Sequence, residues 1–305
     1  MDTKVSYSAA ELLRLGLLSC MGDEARGFLH AQLTNDIAGL AQDEARTAGW
    51  CSAKGRLLAT FLVMPHDGGF LLQLPRELAA PVGKRLSMFI LRTKAKLTDA
   101  SEAWAQFGVW GSAAAERLAA LGFDVPQAPM RVARSLDGVV VQVAQQRFLV
   151  LLPVARRDRI AALACTAADD AWALEEIRGG RPQVLAATQD QFVPQMVNLE
   201  RLGAVDFRKG CYPGQEIVAR TQYRGVLKRR MVRARVAAAA APGDELFAEE
   251  LPGQASGVVA NAAAAPEGGS ELLAVAQISA LESGRPIRLR TADGPVLELL
   301  PLPYA

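Results

Sequence analysis

The sequence predicts an α+β fold that ends in a small C-terminal β-barrel or sandwich. Two observations carry this. Through the first 220 residues, strand-like runs interleave with segments of helical periodicity and several hairpin turns, which favours α+β over a doubly wound parallel sheet. After about Arg220 the helical pattern stops, and short strand-like runs alternate with alanine-rich connectors. Length adds a third constraint. The chain has 305 residues, more than one core usually takes, so about two or three compact units are expected. The expected division is 1–220, holding two subdomains with the second at roughly 101–170, and 221–305.

The elements follow in order. Residues 12–21 form an apolar run that reads as a strand. Gly22-Asp23 then offers a cap, and Phe28, Leu29 and Leu33 recur at helical spacing, so 24–33 reads as a helix. Residues 47–53 and 57–64 read as a hairpin around Lys54-Gly55. His66-Asp67-Gly68-Gly69 is a turn, 70–74 a strand, and 75–90 a helix carrying Leu78, Val82 and Leu86. Strands are expected at 104–110, 138–143 and 147–152, with helices at 112–121 and 154–167. The last region reads as strands at 231–236, 257–260, 272–278, 287–289 and 296–300. Its alanine runs, 237–241 and 262–265, read as loops because Pro242 and Pro266-Glu267-Gly268-Gly269 flank them.

Composition narrows the function. Half the residues are hydrophobic and 22% are charged, which is ordinary for a globular protein. A net charge of +2 creates no field that would recruit nucleic acid or an anionic membrane. Glu11 and Arg14 interrupt the first apolar run and no basic segment precedes it, so no signal peptide is expected. No uninterrupted apolar window is long enough for a membrane span. Cys20, Cys51, Cys165 and Cys211 lie far apart without a C-x-x-C pair, which fits a reducing cytoplasm. With only two histidines besides, no metal site is expected.

The chemistry concentrates in residues 206–220. Gly210, Pro213 and Gly214 break regular structure around Cys211, and helix formers begin at Gln215. Cys211 therefore belongs to a tight turn just before a helix N-terminus, with Arg208 and Lys209 close by. Both the helix end and the cations favour thiolate over thiol. That makes Cys211 a candidate nucleophile or redox-active thiol. The alternative is a small hydrophobe buried in a packed turn.

Lys209-Gly210-Cys211-Tyr212-Pro213-Gly214-Gln215-Glu216 matches K-G-C-Y-x-G-Q-E without a gap, and so resembles the signature of the YgfZ family of folate-binding proteins that support iron–sulfur proteins. That family is similar to the T-protein (aminomethyltransferase) of the glycine cleavage system. The resemblance extends to Phe28–Asp36, to the turn Lys54-Gly55-Arg56, to the segment Gln191–Leu199 and to Pro301-Leu302-Pro303-Tyr304. It implies the T-protein-like fold: two intertwined α+β subdomains, with a C-terminal β-barrel closing a site for tetrahydrofolate or another folate. It also implies functional roles for Lys209 and Cys211. Gly210, Tyr212, Gly214, Gln215 and Glu216 of the motif are candidate folate contacts, as are Asn35, Gln195 and Asn198. For Asn35 loop capping is the alternative, and for Gln195 and Asn198 a structural role in buried irregular backbone.

The chain departs from the T-protein pattern at three places. The catalytic Asp pair falls at Ala59-Thr60, which cannot exchange a proton near neutral pH. A pterin-binding glutamate falls at Arg178, with Glu175 and Glu176 beside it as possible replacements. Of two tryptophans in the folate site one matches Trp172 and the other falls at Leu15. Trp172 is read either as a stacking platform or as a core anchor.

Three functions stay in view. The first is a folate-binding protein that assists assembly or repair of iron–sulfur clusters in client enzymes. The second is a folate-dependent one-carbon transferase, at odds with Ala59-Thr60. The third is a non-catalytic partner-binding module linked to tRNA modification. The expected partners are a folate and iron–sulfur clients or assembly proteins, bound by a monomer, with no membrane and no direct nucleic-acid contact. The basic stretch 223–230 reads as a solvated linker or a contact for a folate tail, RNA or protein.

Overall fold

The structure, a computed structural model, describes residues 6–135, 138–163, 166–251 and 253–304. Cys165 lies outside the described residues. In chain order the strands are β1 (Ser8–Glu11), β2 (Leu15–Met21), β3 (Arg46–Cys51), β4 (Leu57–His66), β5 (Gly69–Pro75), β6 (Lys96–Asp99), β7 (Trp104–Trp110), β8 (Val132–Ser135), β9 (Gly138–Ala144), β10 (Arg147–Pro153), β11 (Arg229–Val236), β12 (Glu245–Ala248), β13 (Gly257–Ala264), β14 (Ser270–Gln277), β15 (Ile287–Leu289) and β16 (Glu298–Leu300). The α-helices are α1 (Ala25–Gln32), α2 (Arg76–Ser87), α3 (Ala114–Ala120), α4 (Asp169–Arg178), α5 (Gln215–Tyr223) and α6 (Ile278–Glu282). The chain divides into two compact units, each made of discontinuous segments. Unit 1 is Met1–Leu29, Ile37–Arg46 and Phe61–Trp172, and unit 2 is His30–Asp36, Thr47–Thr60 and Ala173–Ala305.

Unit 1 is built on an antiparallel sheet of order β1-β7-β10-β9-β8. β10 shows how the strand period places the core. Phe148, Val150 and Leu152 face one way, onto Leu118 of α3 and Ile160 and Leu163. Leu149 and Leu151 face the other, joining Leu17 of β2, Met64 of β4, Leu71 of β5 and Trp172. A buried amide ladder runs through this unit. Gln73 Nε2 donates to Gln106 Oε1 at 2.7 Å, and Gln106 Nε2 donates to the Leu15 carbonyl at 3.0 Å. Such a chain satisfies polar groups that would otherwise cost stability in the core.

In unit 2 the C-terminal sheet has the order β15-β12-β13-β14-β11-β16. It curls closed. Val296 bridges Arg288 on β15, while Leu299 and Leu300 two strides later pair with Ala234 and Arg233 on β11. One short segment thus touches both edges of the sheet, which removes unpaired edges. Small residues (Ala234, Ala274, Ala276, Ala280) line the interior with Leu246, Leu272 and Leu289.

Three expectations need correction. Residues 154–167 were expected to be α-helical, but Val154–Leu163 is a 3-10 helix. Its charged run Arg156-Arg157-Asp158-Arg159 is exposed, and only Ile160 and Leu163 are anchored in the core, three residues apart. Ala262–Ala264 is strand, not loop, because each residue pairs across to β14 (Leu272, Glu271, Ser270). The short strands β1, β6, β8 and β12, of four residues each, carry too little pattern to be read locally.

Candidate functional site

The motif lies in unit 2, and its backbone is arranged by glycine. Gly214 caps α5 with φ +77°, a conformation that L side chains rarely adopt. A Cβ there would run into the Ser52 carbonyl and lie 2.6 Å from Gly55 Cα. Gly55, at φ +69°, would in turn press Ile217 of α5. The hairpin turn and the helix start therefore meet backbone to backbone. The turn itself is tied down further: Ser52 Oγ donates to Asp190 at 2.8 Å, and Leu57 N–H donates to the Phe192 carbonyl at 2.7 Å. Two motifs far apart in sequence form one substructure.

Cys211 sits in the loop ahead of α5 and is exposed. The reading of this cysteine as a small buried hydrophobe is thereby excluded. The buried thiols are Cys20 and Cys51, each pushed up to about 12, Cys20 by burial and Cys51 by burial and then by Asp190. Neither is a thiolate near neutral pH.

Lys209 turns inward. Its Nζ donates to the carbonyls of His30 at 2.6 Å and Leu33 at 3.0 Å, satisfying acceptors at the end of α1. The same Nζ lies 4.8 Å from the centre of the Tyr212 ring. Burial holds the Lys209 amine down to about 8, while Asp36, Asp206 and Cys211 act to raise it. A lysine so placed is a mixture of amine and ammonium near neutral pH. Tyr212 is 6% exposed, and burial and then Cys51 push its phenol up. Gln215 is half-buried, whereas Glu216 is exposed in the first turn of α5, where a carboxylate suits the helix dipole.

The remaining polar candidates of unit 2 are mostly occupied by the protein itself. Asn35 donates to the carbonyls of Thr47 and Gly203, both at 2.8 Å, and accepts from the Asp36 N–H at 2.9 Å. Asn198 is fully buried in a left-handed conformation, φ +59°. It donates to the Met231 carbonyl and accepts from Arg230 at 2.8 Å. Gln195 is different. Its Nε2 donates to the Val218 carbonyl at 2.8 Å, but its Oε1 is buried and accepts no hydrogen bond. Ala59 and Thr60 are both buried, and the Thr60 hydroxyl accepts from the Val184 N–H at 3.1 Å, a structural bond.

Arg178 belongs to an ion-pair network. Its Nη2 and Nε reach Glu271 Oε1 at 2.7 and 3.0 Å, and Arg233 Nη2 reaches the other oxygen at 2.7 Å. Glu175 pairs with Arg178 and Glu176 with Arg181, so the two acids suggested as replacements for a pterin ligand are already engaged. Burial disfavours the Glu271 carboxylate, but Arg178 and Arg233 win and hold it below the usual range. A lowered carboxyl pKa adds stability above about pH 4.3, the unfolded value, and that stability is lost as the pH falls through the folded value. Glu271→Gln is expected to cost about 2–3 kcal/mol at pH 7 and much less near pH 3. Urea titrations at the two pH values check this, and an equal loss at both would refute the assignment.

Trp172 and Leu15 belong to unit 1 and share one core cluster. Trp172 is 5% exposed. The Arg147 guanidinium stacks 4.4 Å from its ring centre, and Trp110 meets it edge-on at 5.7 Å. Gly108 of β7 lies under the indole, where a Cβ would come within 2.8 Å of Cδ2. Both flat faces and the edge thus have protein neighbours, and the core-anchor reading holds.

Sequence reasoning treated His30 as an ordinary helix residue. The structure sets its Nδ1 3.1 Å from Asp36 Oδ1 and its Nε2 3.7 Å from where a side chain on Gly210 would begin. The available signal was that His30 is one of only two histidines and falls at a helix end six residues before an aspartate.

Among the described residues, no helix is long and apolar enough to cross a membrane. No family model matches the chain. The chain is 33% identical over 298 residues to the tRNA-modifying protein YgfZ of Edwardsiella ictaluri, covering 94% of this chain and 89% of that one. It is 32% identical over 222 residues to the tRNA-modifying protein YgfZ of Vibrio vulnificus, covering 72% of this chain and 67% of the other. Its fold matches the crystal structure of the glycine cleavage system aminomethyltransferase T from Bartonella henselae, with a TM-score of 0.80 over 99% of this chain and 87% of that one, at 16% identity. The expected α+β T-protein-like fold is therefore the observed one, and on the full-length similarity the chain belongs to the YgfZ family.

Proposed function

We propose that this protein binds a folate and supports tRNA modification by maintaining the iron–sulfur clusters of client enzymes, with Cys211 as its working thiol. The observation that carries the reading is the contrast within unit 2. The Lys209–Glu216 motif is fully assembled around an exposed cysteine, whereas the Ala59-Thr60 position offers no acid or base and spends its one hydroxyl on a backbone bond. The family relationship supports the link to tRNA modification, and the aminomethyltransferase fold supports a folate ligand.

The polar candidates test the fit to a pterin. Asn35, Asn198 and Arg178 have protein partners, so the hydrogen-bonding fit rests on Gln195 Oε1, a buried acceptor suited to a ring N–H. A bound folate would supply a flat, hydrogen-bonding ligand that this acceptor recognises. Lys209 would keep its neighbour Cys211 in an electropositive setting near pH 7.

The test is complementation in a bacterial strain lacking YgfZ, reading the level of an iron–sulfur-dependent tRNA modification. The wild-type chain is expected to restore it, and Cys211→Ala to restore less than a tenth. In parallel, calorimetric titration with tetrahydrofolate is expected to show saturable binding by both proteins. Full restoration by Cys211→Ala would remove the thiol from the function. Absence of folate binding by the wild type would leave a partner-binding protein on a folate-enzyme fold.

A further inference from the structure

We infer that His30, oriented by Asp36, is the acid–base partner of the Cys211 thiol. The inference rests on the proposed role of Cys211 and names the groups that operate it. His30 occupies the last turn of α1, and its side chain is about one-quarter exposed. Asp36 lies 3.1 Å from Nδ1. A carboxylate at that nitrogen holds the ring as the Nδ1–H tautomer, which leaves the Nε2 lone pair directed outward. Nε2 points at the motif, 3.7 Å from the side-chain position of Gly210, the residue that precedes Cys211.

Glycine matters here for space. Any side chain at residue 210 would stand between the imidazole and the loop, whereas glycine leaves the approach open. Lys209 fixes the two elements together, because its Nζ bonds the His30 carbonyl itself. Asp206 Oδ1 accepts the N–H of Arg208 at 2.7 Å and of Lys209 at 3.2 Å, holding the start of the loop. The charged groups of unit 2 around the imidazole are thus Asp36, Asp206 and Lys209, with the exposed Cys211 thiol on the solvent side.

The chemistry is one proton transfer. The Cys211 S–H bond breaks as an Nε2–H bond forms on His30, directly or through one water. The resulting imidazolium keeps its Nδ1–H on Asp36, and the thiolate is the nucleophile. No other co-reactant is needed. His30 acts on the thiol, and Asp36 is a positioning residue that acts through His30.

Alkylation of the purified full-length chain by iodoacetamide tests this, with Cys211 modification followed by peptide mass spectrometry from pH 5.5 to 9. Mass spectrometry separates Cys211 from the other cysteines. At pH 7, His30→Gln is expected to react about tenfold more slowly than wild type, and Asp36→Asn about threefold more slowly. The rates should converge above about pH 9, where a thiol ionises unaided. A purely structural role for either residue would shift the rate equally at all pH values. Superimposable pH–rate profiles for wild type and His30→Gln overturn the inference. If His30→Gln lowers the melting temperature, Asp36→Asn decides, since it keeps the imidazole: an unchanged profile there also overturns it. Neither result bears on complementation by Cys211→Ala, so this inference and the proposed function can fail separately.

Discussion

Trp172→Ala is expected to lower unfolding stability by about 3–5 kcal/mol, the range for emptying a buried tryptophan site. The indole lies in the core of unit 1, over Gly108 and beside Trp110. Three losses combine: the transfer of a large apolar group, a cavity that the rigid sheet under Gly108 cannot close, and the cation–π contact of Arg147. Arg147 is itself 7% exposed, and its stacked position would be left beside a void. Urea denaturation followed by circular dichroism measures the effect. Trp172→Phe, which keeps an aromatic face, should recover at least half of the loss. A change below about 1 kcal/mol for Trp172→Ala would mean that the indole is not a core anchor. The substitution is consequently a poor probe of folate stacking, because a drop in folate binding would follow from unfolding alone.

Gly214→Ala is expected to cost about 3 kcal/mol and to disorganise the loop that carries Cys211. Part of the cost is conformational, since φ +77° is worth about 1–2 kcal/mol against an L side chain. The remainder comes from the new methyl group, which meets backbone atoms of Ser52 and Gly55 that no rotamer change can move aside. Gly68→Ala separates the two contributions. Gly68 has the same φ of +77°, but nothing lies within 4 Å of its added Cβ. It should lose only the conformational part. Chemical denaturation of both variants gives the comparison, and equal losses would show that the contact between the hairpin turn and the motif carries no energy.

Much of the fold was legible locally. The strand Trp104–Trp110 and the strand Ile287–Leu289 have the bounds that alternation predicts, and α1 falls within one residue of its predicted start. These segments have periodic apolar residues and flanking turn signals that act over a few positions. The motif segment was legible for the same reason. Glycine and proline restrict the backbone wherever they occur, so a turn before a helix at Gln215 follows from Gly210, Pro213 and Gly214 alone.

What the sequence by itself determined, then, is the class of fold, the family, and the position of the reactive cysteine ahead of α5. What only the tertiary structure decided is which side chains are already spoken for. Arg178 meets Glu271 across 93 residues, Lys209 reaches the end of α1 across 179, and Gly214 needs the backbone of Gly55. The strand identity of Ala262–Ala264 depended likewise on pairing with β14. Each of these is a pairwise contact set by chain topology. Local propensity acts within a turn or two of the chain, whereas burial, hydrogen-bond satisfaction and the orientation of His30 by Asp36 depend on which distant backbone closes around a residue.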